Sequence, residues 1–138
     1  MKYMILLYGS QQDYDAMTGK PGAKPAWTEQ ELAGLGGFMM SFNQQLADSG
    51  ELVDTRGLTA PAHARRIQLR EGVPAVTDGP YPETQEVLAG YWIVECDSFE
   101  RAIEIATRLT TIPDPRGINQ AGVVDVRPIA DSQSEIDF

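Results

Sequence analysis

Residues 87–95 read Val-Leu-Ala-Gly-Tyr-Trp-Ile-Val-Glu, and their alternation decides the fold. In an extended chain Leu88, Gly90, Trp92 and Val94 fall on one side, and Val87, Ala89, Tyr91 and Ile93 on the other. Both sides are apolar, so such a strand must be covered twice. The run from Lys2 to Tyr8 behaves the same way, since Met4, Leu6 and Tyr8 interleave with Tyr3, Ile5 and Leu7. Two strands of this kind call for helices on one sheet face and a second apolar layer on the other.

The helices are visible in the spacing. Thr28, with Glu31 three residues on, has capping-box spacing ahead of a stripe formed by Leu32, Leu35, Phe38, Met39, Phe42 and Leu46, and Gly50 closes the stripe. Gly34, Gly36 and Gly37 within it each cost about 1 kcal/mol against Ala. Tertiary packing therefore has to hold this helix, and its glycines are candidates for close approach of a strand or partner. Ser98 caps a second helix with Phe99, Ala102, Ile103, Ala106 and Leu109 on its core side, and Pro113 stops it. Between the helices lie short strands within residues 51–58 and 64–70. The latter alternates Ile67 and Leu69 with Arg66, Gln68 and Arg70. Residues 75–77 form a brief extended segment, and 123–129 a last strand that Pro128 puts at an edge or an end. Gly9–Ala26, with Gly19, Pro21, Gly22 and Pro25, reads as a long surface loop.

The resulting order, β-α-β-β-β-α-β, is that of an α+β domain, a ferredoxin-like split β-α-β sandwich with both helices on one sheet face. It spans residues 1–130, with a flexible acidic tail over 131–138. The second face remains. Leaving about eight apolar side chains wet forfeits roughly 1.5 to 3 kcal/mol each, against a domain margin of ~5 to 15 kcal/mol. A homodimer packed sheet against sheet, closing a dimeric α/β-barrel, is the expected answer.

Composition narrows the function classes. The 138 residues suit one domain, and 11 Lys+Arg against 20 Asp+Glu give a formal net charge of −9. No basic stripe can form, so a nucleic-acid partner is excluded. The apolar opening run is too short for a secretion signal, and no stretch reaches membrane-spanning length. A single cysteine, Cys96, allows no internal disulfide, and one histidine, His63, allows no His-rich metal cage. A cytoplasmic protein is expected, without membrane partner, metal or cofactor, since no phosphate loop, nucleophile elbow or metal spacing occurs.

Asp78-Gly79-Pro80-Tyr81, followed by Glu83-Thr84, Glu86 and Gly90-Tyr91-Trp92, resembles the YCII-related family, in particular its branch named after an Asp-Gly-Pro-Phe (DGPF) motif. Tyr8-Gly9, Gly50-Glu51-Leu52, Gly57-Leu58, Asp97-Ser98 and Val124-Asp125-Val126-Arg127-Pro128 resemble further blocks of it, so the likeness runs from Met1 to Ile129. The resemblance implies a dimeric α/β-barrel of ferredoxin-like protomers. Most members of this branch have no assigned reaction and are neighbours of extracytoplasmic-function sigma factors. Other YCII-related proteins are proposed to use a histidine on the first helix with the aspartate matching Asp78, and one eliminates chloride from a chlorinated hydroquinone. Residues 28–49 here contain no histidine, so that acid-base pair is broken.

Asp78 is the catalytic candidate, a general acid/base if it is buried in a pocket between sheets, or a turn-builder if it accepts local N–H groups ahead of Gly-Pro. Tyr8, Asp78, Tyr81, Tyr91 and Arg127 are the ligand-binding candidates. Alternation separates Tyr91 from Trp92, and Arg127 would pair with Asp78, Glu83 or a ligand carboxylate. His63 is either a substitute base or a solvated loop residue. Arg66, Gln68 and Arg70 would hold an anion or simply solvate an edge strand. Cys96 reads as a small hydrophobe. The expected function is a homodimer binding a small organic molecule in a pocket near Asp78, with weak lyase or hydrolase-like activity as the chemistry to test. Whether it is an enzyme is open. The alternative is a non-enzymatic accessory module of a sigma-factor system, meeting its protein partner through the acidic helix residues Glu29, Glu31 and Asp48 or through the tail.

Overall fold

A computed structural model describes residues 1–115 and 122–136. The two strands with apolar residues on both sides, β1 (Lys2–Gly9) and β5 (Val87–Glu95), lie side by side at the centre of a four-stranded sheet. They pair antiparallel, and β2 (Leu52–Gly57) and β6 (Val124–Pro128) flank them to give the order β2-β5-β1-β6. Pro128 thus ends an edge strand, where a missing N–H costs no ladder bond. β3 (Arg65–Arg70) and β4 (Val73–Asp78) form a separate two-stranded hairpin between β2 and β5. Among the described residues three α-helices complete an α+β fold: α1 (Gln11–Met17), α2 (Glu29–Ser49) and α3 (Phe99–Thr107).

The core lies on one face of the large sheet. Ile5, Leu46, Val94, Ala102 and Ile105 are fully buried there, joined by Tyr3, Phe42 and Trp92. Phe42 meets the Trp92 ring edge-on at 5.4 Å, and Asn43 accepts the indole N–H at 2.7 Å, so the one polar atom of that large side chain is satisfied. On the opposite face Met4, Leu6, Tyr91 and Ile93 stay half-buried. Gly90 has a steric reason: a Cβ there would stand 2.9 Å from the Arg56 carbonyl oxygen on β2.

Thr28 and Glu31 form the capping box expected at the start of α2, and Gly50 ends the helix in the left-handed region at φ 77°. A Cβ at Gly34, Gly36 or Gly37, however, would meet nothing within 4 Å beyond its own helix among the described residues, so close approach of another described element is not what they serve. Three further differences from the sequence reading stand out. The segment read as a continuous loop after Gly9 contains α1, because Ser10 and Asp13 form a second capping box. The brief extended segment at 75–77 is a full strand, β4, and it pairs with β3 outside the main sheet. Of the segment read as a tail, Gln133–Glu135 form a 3-10 turn, while residues 137 and 138 lie outside the described residues. Among the described residues no helix is long and apolar enough to cross a membrane.

Candidate functional site

A cavity of about 300 Å³ opens where β1 leaves the sheet and α1 begins, a volume at the lower end of small-molecule sites. β1 carries a register shift between Leu7 and Tyr8, so its last residues turn out of the ladder and form one wall. α1 contributes Asp13, Tyr14 and Met17, and α2 contributes Leu35 and Met39. Ile112, Pro113 and Val123 close the far side, and Trp27 lies between the helices.

α1 is held over this space by three ties that sequence periodicity does not record. The Tyr14 hydroxyl donates to the Leu58 carbonyl at 2.8 Å, and Gln11 Oε1 accepts the Ala62 N–H at 2.8 Å. The Gln12 N–H reaches the Glu83 carbonyl at 3.2 Å, which docks the segment after Pro80 against the helix. That docking brings Glu86 to the cavity rim. Burial, with the neighbouring Asp13 charge, holds the Glu86 carboxyl above its ordinary range against the opposing pull of Lys24. Asp13 itself is buried, pairs with Lys24 and accepts the Ser10 N–H at 2.9 Å. No Lys, Arg or His borders the cavity among the described residues. Trp27 is buried, packs on Ala16, Met17 and Leu35, and its Nε1–H has no partner among the described residues.

The residues singled out from sequence do not converge. Tyr8 alone borders the cavity, and its hydroxyl donates to Asp125 Oδ2 at 2.7 Å. That bond to a carboxylate, reinforced by burial and the Asp125 charge, pushes its ionisation above the usual phenol value, with Arg127 pulling the other way. Tyr91 and Arg127 lie on the outward sheet face, opposite Leu6 and Met4 respectively. The Tyr91 hydroxyl donates to Asp54 at 3.3 Å, and Arg127 is exposed. Asp78 is at the open end of the β3–β4 hairpin, with 78% of its side chain exposed, and forms an ion pair with Arg65 at 2.9 Å. Gly79, at φ +50°, sends its N–H to the Ala64 carbonyl at 2.8 Å, and a Cβ there would stand 3.2 Å from the Ala62 oxygen. The Asp-Gly step thus needs glycine for its geometry. Tyr81 lies beneath the Arg66 guanidinium at 5.1 Å, and His63 is exposed in the turn Pro61–His63. Neither borders the cavity. Cys96 is buried, and desolvation first of all raises its thiol.

Asp13 and Met17 were missed because they fall in the stretch Gly9–Ala26 whose glycines and prolines read as loop, and Trp27 because it stands between that stretch and the helix opened by Thr28. The available signal was Ser10-Gln11-Gln12-Asp13, a capping box in the sequence.

Residues 1–132 match the YCII-related domain. The chain therefore belongs to the YCII-related domain family. An uncharacterized protein of Rhizobium meliloti (strain 1021) is 25% identical over 130 residues, covering 94% of this chain and 93% of that protein.

Proposed function

We propose that the protein binds a small organic molecule in the cavity between β1, α1 and α2, and works as a homodimer of ferredoxin-like protomers that closes a dimeric α/β-barrel. The observation that carries the ligand reading is the cavity itself: about 300 Å³, walled mainly by apolar side chains, with acidic groups at its border. The strand order β2-β5-β1-β6 with α2 and α3 on one face supports the ferredoxin-like reading, and the half-buried apolar residues opposite support the dimer.

The site is displaced from the pocket near Asp78 expected from the motif, and the two are joined through the Glu83–Glu86 segment docked on α1. A second reading has its own support. Asp78 is exposed and tied to Arg65, as suits a structural motif in a non-enzymatic accessory module of a sigma-factor system. Native mass spectrometry of gently purified protein separates the two. A dimer carrying a releasable small molecule, lost when Trp27→Ala and Met39→Trp alter the walls, is the expected result. Bare dimers that also bind none of a broad small-molecule panel would overturn the ligand reading in favour of the accessory module. If the released molecule is turned over by the wild type and not by Asp78→Asn, lyase or hydrolase-like activity belongs to the motif after all.

A further inference from the structure

We propose that charges on the outward sheet face fix how a second copy of this chain seats there, with the strands of the two sheets aligned and the two-fold axis running parallel to β1 and β5, between them. Residues directly paired on neighbouring strands share a face, so the register writes this surface out row by row. From β2 across to β6, one row reads Asp54, Ile93, Met4, Arg127 and the next Arg56, Tyr91, Leu6, Asp125. Glu95 and Lys2 stand side by side at one end of the two central strands. The middle of the face is therefore apolar and aromatic, and its corners carry charges of alternating sign.

Within the chain these charges are only partly met. Arg56 pairs with Asp54 at 3.1 Å, and Asp125 accepts the Tyr8 hydroxyl at 2.7 Å. Lys2, Glu95 and Arg127 form no ion pair among the described residues. A partner that covers this face has to answer them, since a charge shut away from water without a counter-charge is disfavoured.

Rotation about an axis parallel to the strands keeps each row level and exchanges its ends. Asp54 then faces the partner's Arg127, Arg56 the partner's Asp125 and Glu95 the partner's Lys2, while Met4 meets the partner's Ile93 and Leu6 the partner's Tyr91. Stacked sheets lie about 10 Å apart, within reach of long Arg and Lys side chains. An axis across the strands also sets aspartate against arginine, but it carries Lys2 and Glu95 to opposite ends of the interface. A crossed packing, with the axis on either diagonal, sets aspartate over aspartate and arginine over arginine, so the pattern selects the aligned mode and works against the orthogonal one.

The inference rests on the proposed homodimer, and the test keeps the two apart. Arg127→Lys preserves the charge and supplies an amine that a carbodiimide joins to a touching carboxylate as an amide, with loss of water. Positions 54 and 127 lie three strands apart in one chain, about 14 Å, so a direct amide between them joins two copies. In an equal mixture of isotopically heavy and light chains, the expected product is a covalent dimer bridged from 54 of one copy to 127 of the other. Sedimentation equilibrium then compares wild type, Arg127→Glu, Asp54→Lys and an equal mixture of these two variants. Each variant alone should associate at least about tenfold more weakly than wild type, and the mixture should recover a heterodimer, because the two changed positions then face each other. A wild-type monomer would overturn both the dimer and the seating. A wild-type dimer with bridges between copies only from 125 to 127, or with no bridge between copies, would overturn the seating alone, even where a charge reversal unfolds the chain. Folded variants that associate as well as wild type, or a mixture no tighter than its components, would do the same.

Discussion

Glu51 and Arg101 tie the end of α2 to the start of α3 with two parallel bonds, Nε to Oε2 at 2.8 Å and Nη2 to Oε1 at 2.9 Å. This is the fork geometry that makes arginine the preferred partner of a carboxylate. The hydrogen bonds from Arg101 hold the Glu51 carboxyl down at about 2, against burial, which pulls it upward, and with help from Ser49. Because the folded value lies below the unfolded one near 4.5, the stabilisation is complete above pH 4.5 and fades as pH falls toward 2. With Arg101 39% exposed, solvent screening leaves about 1 to 2 kcal/mol. Glu51→Gln should therefore be less stable than wild type by that amount at pH 7, and urea unfolding across pH should show the gap closing near pH 2. A gap independent of pH would mean that the carboxylate charge is not the source. Gly50-Glu51-Leu52 was legible as a family block, but nothing local in the sequence pointed to its partner fifty residues on.

Among the elements, α2 combines a buried C-terminal half, with Phe42 and Leu46, and an open N-terminal half, where Leu32 is exposed and three glycines face empty space. A glycine in a helix interior costs about 1 kcal/mol relative to Ala, chiefly through backbone entropy. Gly34→Ala should then raise the melting temperature by about 3 to 5 °C, as scanning calorimetry would record. A fall instead would show that something beyond the described residues approaches that turn closely. The elements were legible in proportion to their periodicity. β1, β5, α2 and α3 carry long runs of period two or near four, and each was found within about two residues of its ends. α1 spans barely two turns, and β4 contains Pro74, so neither offers a window long enough for a pattern to outweigh its turn residues. The hairpin's separation from the main sheet was illegible for another reason, since strand partnership is a tertiary choice that alternation does not encode.

At the scale of the whole molecule the candidate site was illegible from the motif, because Asp78 and the cavity are connected by chain and not by contact. What the sequence did convey is the sign of the field a ligand meets, a formal net charge of −9. The cavity sharpens that sign: Asp13, Glu86 and Asp114 border it, and no Lys, Arg or His does among the described residues. Lys24 neutralises Asp13 from behind, while Glu86 is held above its normal range by burial and that neighbour, so a second negative charge entering here would be placed where one carboxylate is already disfavoured. A carboxylate ligand would lose its hydration without gaining a cation, whereas an amine could pair with Glu86. Three probes with one apolar body isolate the effect: naphthylmethylamine, naphthylmethanol and naphthoate. Isothermal titration at pH 7 and low salt should rank the amine above the alcohol and leave naphthoate at least about tenfold weaker than either, with Glu86→Gln bringing the amine down to the alcohol. If naphthoate binds as well as the amine, a basic group outside the described lining serves the cavity and the anion exclusion is wrong.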